Sequence, residues 1–255
     1  MRRWRHRLLV LGTAAAATLA AAGPPPPAAT PDTRRSSLLD MQPATQALQR
    51  DDGLNPGWLW LKGGEQDFQR DCVRCHTPAS LHGVAPRYPA WDEVLGKPLT
   101  LQGRIQQCRV RHLKAAPLAA ESDALLGLET WVAHTSRGQP IAPPADARLQ
   151  AWRQRGEALF HQPLGQLGLS CAQCHDQRAG GRLAGSVIPQ GHPTGYPLYR
   201  LEWQGMGSLQ RRLRNCMTGV RAEPFAPGSE EYTALETWLM HRAAGMPLET
   251  PAVRP

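Results

Sequence analysis

A mainly α-helical chain built as two related halves is the fold class this sequence predicts, on three observations. Val and Ile are sparse beside Leu and Ala, which argues against a strand-rich fold. Apolar residues recur at helical spacing behind serine caps. Several short motifs occur twice in the same order along the chain. With 255 residues, of which Gly and Pro make 48, the chain can bury a core in one or two domains. That Gly and Pro share stays below the roughly 25–30% that marks low-complexity disorder.

The first residues, Met1-Arg2-Arg3-Trp4-Arg5-His6-Arg7, are basic, and an Ala- and Leu-rich stretch from Leu8 to Ala22 follows. A basic head, a short apolar body and a small-residue exit at Ala20-Ala21-Ala22 predict a secretory signal peptide over residues 1–22, too short for a comfortable membrane span. Four of the positive charges lie in this segment, so its removal lowers the formal net charge from +8 to about +4. Nucleic acid is disfavoured as a partner, and a mature chain without a membrane span is expected in an oxidising periplasmic compartment. Residues 23–40, opening on four prolines, read as a flexible lead-in. Residues 41–144 and 145–255 read as two domains, divided near Pro143-Pro144-Ala145.

Four of the six cysteines belong to Cys72-Val73-Arg74-Cys75-His76 and Cys171-Ala172-Gln173-Cys174-His175. This spacing attaches a c-type haem: two thiols one helical turn apart form thioethers with the two vinyl groups, and the next imidazole reaches the iron. A zinc site or a redox dithiol would have to explain an adjacent histidine twice over. The sequence therefore predicts two covalently bound c-type haems, held by Cys72, Cys75, Cys171 and Cys174, with His76 and His175 as axial ligands.

The repeats frame both motifs. Gly64-Glu65-x-x-Phe68 returns as Gly156-Glu157-x-x-Phe160, and Tyr88-Pro89 returns as Tyr196-Pro197. Leu101, Arg104, Ile105 and Cys108 share one helical face, and Leu209, Arg212, Leu213 and Cys216 repeat it 108 residues later. Ser122 and Ser229 are expected to cap two further helices, with Leu125, Leu128 and Val132, or Tyr232, Leu235 and Leu239, facing inward, and Gly138 and Gly245 beyond their ends. Two cytochrome-c-like domains related by internal duplication follow. The second carries nine extra residues between His175 and Tyr196, an expected surface loop over Gly180 to His192.

The sixth ligand of each iron decides the chemistry. The first half has no methionine after its haem motif, so its candidates are Cys108, His82, His112 and His134; Cys216, Met206, Met217, Met240, His192 and His241 compete in the second. Cys108 and Cys216 are favoured, because each holds the same place in its own repeat, although a disulfide between them is the alternative. Arg104 and Arg212 lie four residues before these cysteines, suited to stabilise a thiolate. Arg211, Arg214 and Arg221 make the surroundings of Cys216 the more basic and suit it to an anion.

From about Met41 to Pro255 the chain resembles the dihaem SoxA family of the periplasmic thiosulfate-oxidising Sox system, most specifically in Arg212-Leu213-Arg214-Asn215-Cys216-Met217-Thr218-Gly219-Val220-Arg221-Ala222-Glu223 and in Gly245-Met246-Pro247-Leu248-Glu249-Thr250-Pro251. The resemblance implies an L-cysteine S-thiosulfotransferase, paired with the monohaem cytochrome SoxX, that conjugates thiosulfate to a cysteine of the SoxYZ carrier protein and passes electrons to an accepting cytochrome. It implies His76 with Cys108 and His175 with Cys216 as axial pairs, Cys216 as the catalytic cysteine and Arg212 as the substrate-binding arginine. A thiosulfate dehydrogenase forming tetrathionate, a plain dihaem electron carrier and a haem-based sensor remain the alternatives.

Overall fold

A computed structural model describes residues 32–255, of which Arg34–Pro255 form one compact unit. The expected signal peptide and the start of the lead-in lie outside the described residues. From Arg34 on, the chain is tied down: the Arg34 guanidinium donates to the carbonyls of Arg242 and Ala244 at 2.8 and 2.9 Å. Ser37–Asp40 then forms a 3-10 turn capped by Ser36.

Eight α-helices follow in chain order among the described residues: α1 (Pro43–Arg50), α2 (Trp58–Asp71), α3 (Leu101–Cys108), α4 (Asp123–His134), α5 (Gln150–His161), α6 (Cys171–His175), α7 (Leu209–Gly219) and α8 (Glu230–Arg242). The strands are two or three residues long: β1 (Ala90–Asp92), β2 (Lys97–Leu99), β3 (Arg182–Leu183), β4 (Ser186–Val187), β5 (Leu198–Arg200), β6 (Gly205–Gly207) and β7 (Ala252–Arg254). The duplication is visible in the elements themselves. The hairpin β1–β2 and helix α3 return 108 residues later as β5–β6 and α7, and α4 returns as α8.

Each half is organised around one helix crossing, α2 against α4 and α5 against α8. The crossings need glycine. A Cβ on Gly64 would lie 1.9 Å from the Gly127 carbonyl oxygen, and one on Gly156 would lie 2.0 Å from that of Ala234. The repeated Gly-Glu-x-x-Phe motif thus serves packing: Gly lets the backbones touch, and Phe68 or Phe160, one turn on, is buried beneath the contact. Phe68 stacks on Trp131 with ring centroids 4.1 Å apart. Ser122 and Ser229 cap α4 and α8 as expected, each accepting a hydrogen bond from the amide three residues on. The apolar faces assigned to both helices are buried.

The chain end crosses back to the first half, a long-range return that no local pattern predicts. Ala243, Met246 and Leu248, which follow α8, pack into the core that Leu61, Phe68 and Trp131 build in the first half. Strand β7 then pairs in parallel with β5 and lies against α1. There Gln49 accepts from the Val253 amide at 3.1 Å and from the Arg254 guanidinium, and Asn55 donates to the Pro251 carbonyl at 2.9 Å.

Candidate functional site

The Cys-x-x-Cys-His segments form single turns, as two-point attachment requires. The amides of Cys75 and His76 both donate to the Cys72 carbonyl at 3.0 Å. In the second half the turn is α6, closed by a capping box: Ser170 Oγ accepts from the Gln173 amide, and the Gln173 side chain accepts from the Ser170 amide at 2.7 Å. All six cysteines are unpaired and fall into two groups of three. Cys108 at the end of α3 faces Cys72 and Cys75, while Cys216 on α7 faces Cys171. This grouping places each leftover cysteine with its own haem motif and gives no support to a disulfide joining Cys108 to Cys216.

In the first half these groups line a cavity of about 260 Å³. Cys72, Cys75, His76 and Cys108 meet there with an apolar wall that includes Leu81 and Leu128. Arg109 on the wall has a buried Nε with no hydrogen-bond partner. Its Nη1 is held by Asp71 at 2.8 Å, which leaves Nε to a further acceptor; an apolar slot with two thiols on one turn, an imidazole beside them and a free guanidinium N–H fits a haem, an apolar ring with carboxylate tails. His112 also lines this cavity. The remaining first-half ligand candidates are occupied elsewhere. His82 uses both ring nitrogens, on the Thr135 carbonyl and Gln139, and His134 bonds to the Thr250 carbonyl and packs edge-on against Trp58.

In the second half His175 Nδ1 lies 2.8 Å from the Pro189 carbonyl. A carbonyl only accepts, so Nδ1 carries the proton and Nε2 is left with the lone pair that binds a metal. The nine-residue insertion therefore does more than form the expected surface loop: its exposed part is the β3–β4 hairpin, while Pro189 and Gly191 back the imidazole. His175 lies near enough to Cys216 to lower its thiol, which brings the two candidate iron-binding residues of this half together. Met206 is buried in the cluster of Leu126, Tyr199 and Val253, and Met217 accepts from the Tyr232 hydroxyl, so neither competes for this position.

The two leftover cysteines differ in charge environment. Burial pushes the Cys108 thiol up, against the opposing pull of Arg104 and Arg111. Both guanidiniums are also bound at 2.8 Å by the buried carboxylate of Asp92, whose own charge pushes the thiol up, so Arg104 acts on Cys108 in the direction the sequence suggested but shares its charge with an acid, and burial prevails. Burial pushes Cys216 up as well, but His175 and the charges of Arg212 and Arg200 outweigh it and hold the thiol below its ordinary value.

The arginines that bracket Cys216 in sequence do not all reach it. Arg211 turns away to lie over Trp203 at 4.2 Å, and Arg214 and Arg221 are exposed. Arg212 remains, joined by Arg200 from the end of β5, a residue the sequence reading did not single out.

The family model described as SoxA/TsdA, cytochrome c domain, matches residues 59–141 and 155–248. The chain belongs to this family. Its two matched segments each contain one Cys-x-x-Cys-His turn, which agrees with a covalently bound c-type haem in each half. Among similar proteins, "L-cysteine S-thiosulfotransferase subunit SoxA" of Pseudaminobacter salicylatoxidans is 33% identical over 86% of this chain and 80% of its own length. The protein of the same name from Paracoccus pantotrophus is 29% identical over 83% of this chain and 76% of its own. The crystal structure of SoxXA from P. pantotrophus superposes with a TM-score of 0.84 at 28% identity, covering 87% of each chain. Family membership bears out the mainly α fold of two cytochrome c domains read from the duplication. Among the described residues no helix is long and apolar enough to cross a membrane.

Proposed function

We infer that this chain is the dihaem SoxA-type subunit of an L-cysteine S-thiosulfotransferase, acting in the periplasm with a SoxX-type monohaem partner on the SoxYZ carrier protein. The observation that carries the reading is the Cys216 environment: a half-buried sulfur near His175, its thiol lowered by that histidine and by cationic neighbours, in a chain whose relatives carry that activity in their names. The domains are taken as residues 41–144 and 145–255, and residues 1–22 as the export signal.

The overall step joins thiosulfate to a carrier thiol. S₂O₃²⁻ and carrier Cys–SH give carrier Cys–S–S–SO₃⁻, one proton and two electrons. The haems, when bound, supply the acceptors for those electrons, one each, on the way to an external cytochrome. Cys72 with Cys75, and Cys171 with Cys174, would anchor them covalently, and His76 with Cys108, and His175 with Cys216, are the residues that would hold the irons.

The residues of the second half do the rest. Pro189 fixes the His175 tautomer. Cys216 is the nucleophile: its thiolate joins the terminal sulfur of thiosulfate as the two electrons leave, and the carrier thiol then attacks that sulfur, breaking its bond to Cys216, which departs as thiolate; a low thiol proton affinity suits it to both roles. Arg212 has no ion pair among the described residues and presents its guanidinium to the sulfonate end.

Mass spectrometry of the haem-loaded protein tests this, with and without thiosulfate and a SoxYZ-type carrier. Two covalent haems, a sulfur-containing adduct on the Cys216 peptide and a thiosulfonate on the carrier cysteine are expected. Tetrathionate formed without any carrier would instead identify a thiosulfate dehydrogenase.

A further inference from the structure

The duplication places opposite charges at one equivalent position. Asp92 ends β1 and Arg200 ends β5, 108 residues apart, in hairpins of the same register: Asp92 pairs across to Lys97, and Arg200 to Gly205. The equivalent helices α3 and α7 set Arg104 or Arg212 beside each hairpin. In the first half the end of the hairpin reaches that arginine directly, since Asp92 is 2.8 Å from Arg104. In the second half the same place, the end of β5, is filled by the guanidinium of Arg200, near enough for its charge to act on Arg212 and Cys216.

Two cations at one site repel each other, and Arg200 is poorly placed to escape to water, its side chain being only 12% exposed. Its Nη2 donates to Glu202 at 2.8 Å, but that carboxylate is 62% exposed and lies on the outer side. The buried Nε has no partner. Trp203, 5.1 Å from the guanidinium carbon, holds the group in place from its ring face. The first half shows that the fold accepts a carboxylate at this position, whereas the second half carries a cation there whose carboxylate partner, Glu202, is largely exposed. A dianion is the ligand that would satisfy both guanidiniums together.

We propose that Arg200 is a second oxyanion-binding residue of the Cys216 site, closing with Arg212 on the sulfonate end of a thiosulfate-class dianion. The assignment rests on the function inferred above and extends it to a two-arginine clamp whose members come from different elements, a strand end and a helix. Such a clamp orients the sulfur end toward Cys216 and favours a dianion over singly charged or neutral sulfur compounds.

The test compares Arg200→Gln, Arg200→Lys and Arg212→Gln in the haem-loaded protein, assayed with thiosulfate and carrier and inhibited by sulfate, an unreactive tetrahedral dianion. Arg200→Gln is expected to raise both the KM for thiosulfate and the inhibition constant of sulfate by about ten- to a hundredfold, the scale of a charge-assisted hydrogen bond. The fall in kcat should be smaller and the haem content unchanged. Arg200→Lys, which keeps the charge but not the fork, should recover part of the loss. Values for both Arg200 variants within twofold of the parent, beside a raised KM in Arg212→Gln, would overturn the role of Arg200 alone. A parent protein that transfers no thiosulfate to the carrier would overturn the function and this assignment with it.

Discussion

The two halves share a hairpin, a helix and a cysteine, and they part company at one charge. Asp92 binds Arg104 and Arg111 in the first half and leaves Cys108 beside two guanidiniums that share one carboxylate. Arg200 stands there in the second half and leaves Cys216 under a net positive field. Duplication thus made two haem sites of one shape, and a change of sign at a strand end separates a self-contained ion cluster from one open to an external anion. An arginine four residues before a cysteine therefore does not by itself mark an anion site; what binds the arginine decides.

Removing the sulfur itself should break the comparison most sharply. Cys216→Ser is expected to lower thiosulfate transfer on the order of a thousandfold or more, as removal of a nucleophile does, whereas Cys108→Ser should keep measurable transfer; steady-state turnover of both variants checks this. Next, Asp92→Asn should destabilise the protein by about 3 kcal/mol in denaturant unfolding, because two guanidiniums lose a buried partner. Both arginines hold the Asp92 carboxyl well below the usual carboxylate range, against its burial. Its contribution is therefore present at neutral pH and lost as acid protonates it, so the Asn variant should converge on the parent at low pH.

Gly64→Ala and Gly156→Ala should each lower stability by about 1–3 kcal/mol, and by similar amounts, since each new methyl meets a carbonyl oxygen near 2 Å. Unequal losses would show that the two crossings have diverged in tightness.

The smallest effect concerns Glu129 on α4 and Glu236 on α8, paired by the duplication. Burial raises Glu129 to about 8, helped by Glu236 and Glu121 and opposed by a hydrogen bond from Gln102. Burial likewise raises Glu236 to about 7, with Gln210 opposing. The folded state holds these protons more tightly than the unfolded chain. Stability should therefore fall as pH rises from the ordinary carboxyl value of 4.5 through about 8. Glu129→Gln should flatten that slope in unfolding measured across the window, because the amide has no proton to lose.

Much of this was legible in the sequence, for a physical reason: covalent haem attachment and helix capping are local, so Cys72 to His76, Cys171 to His175, Ser122 and Ser229 carry their meaning within a few residues. The helical spacing of Leu101, Arg104, Ile105 and Cys108 placed the cysteine and the arginine on one face for the same reason. What stayed hidden was long-range. Asp92 precedes Arg104 by twelve residues and meets it only because the hairpin folds back, and Arg200 reaches Cys216 the same way. The signal was present in the repeat: extending the 108-residue offset from Tyr88 and Tyr196 by four residues aligns Asp92 with Arg200. Arg211 and Arg221 were credited to the site by proximity in sequence, which takes no account of where a helix face or a turn directs a side chain.

The return of the chain end to the first half bears on how the protein is made. Ala243, Met246 and Leu248 complete the core around Phe68 and Trp131, and β7 supplies the surface on which α1 rests. A polypeptide emerging from its N-terminus thus presents Cys72, Cys75 and His76 long before the residues that close their surroundings have been synthesised. Until the last dozen or so residues are in place, the earlier half lacks part of its interior. Cutting the chain between the halves would leave the first without part of its interior, and deleting the tail would injure the site farthest from it in sequence.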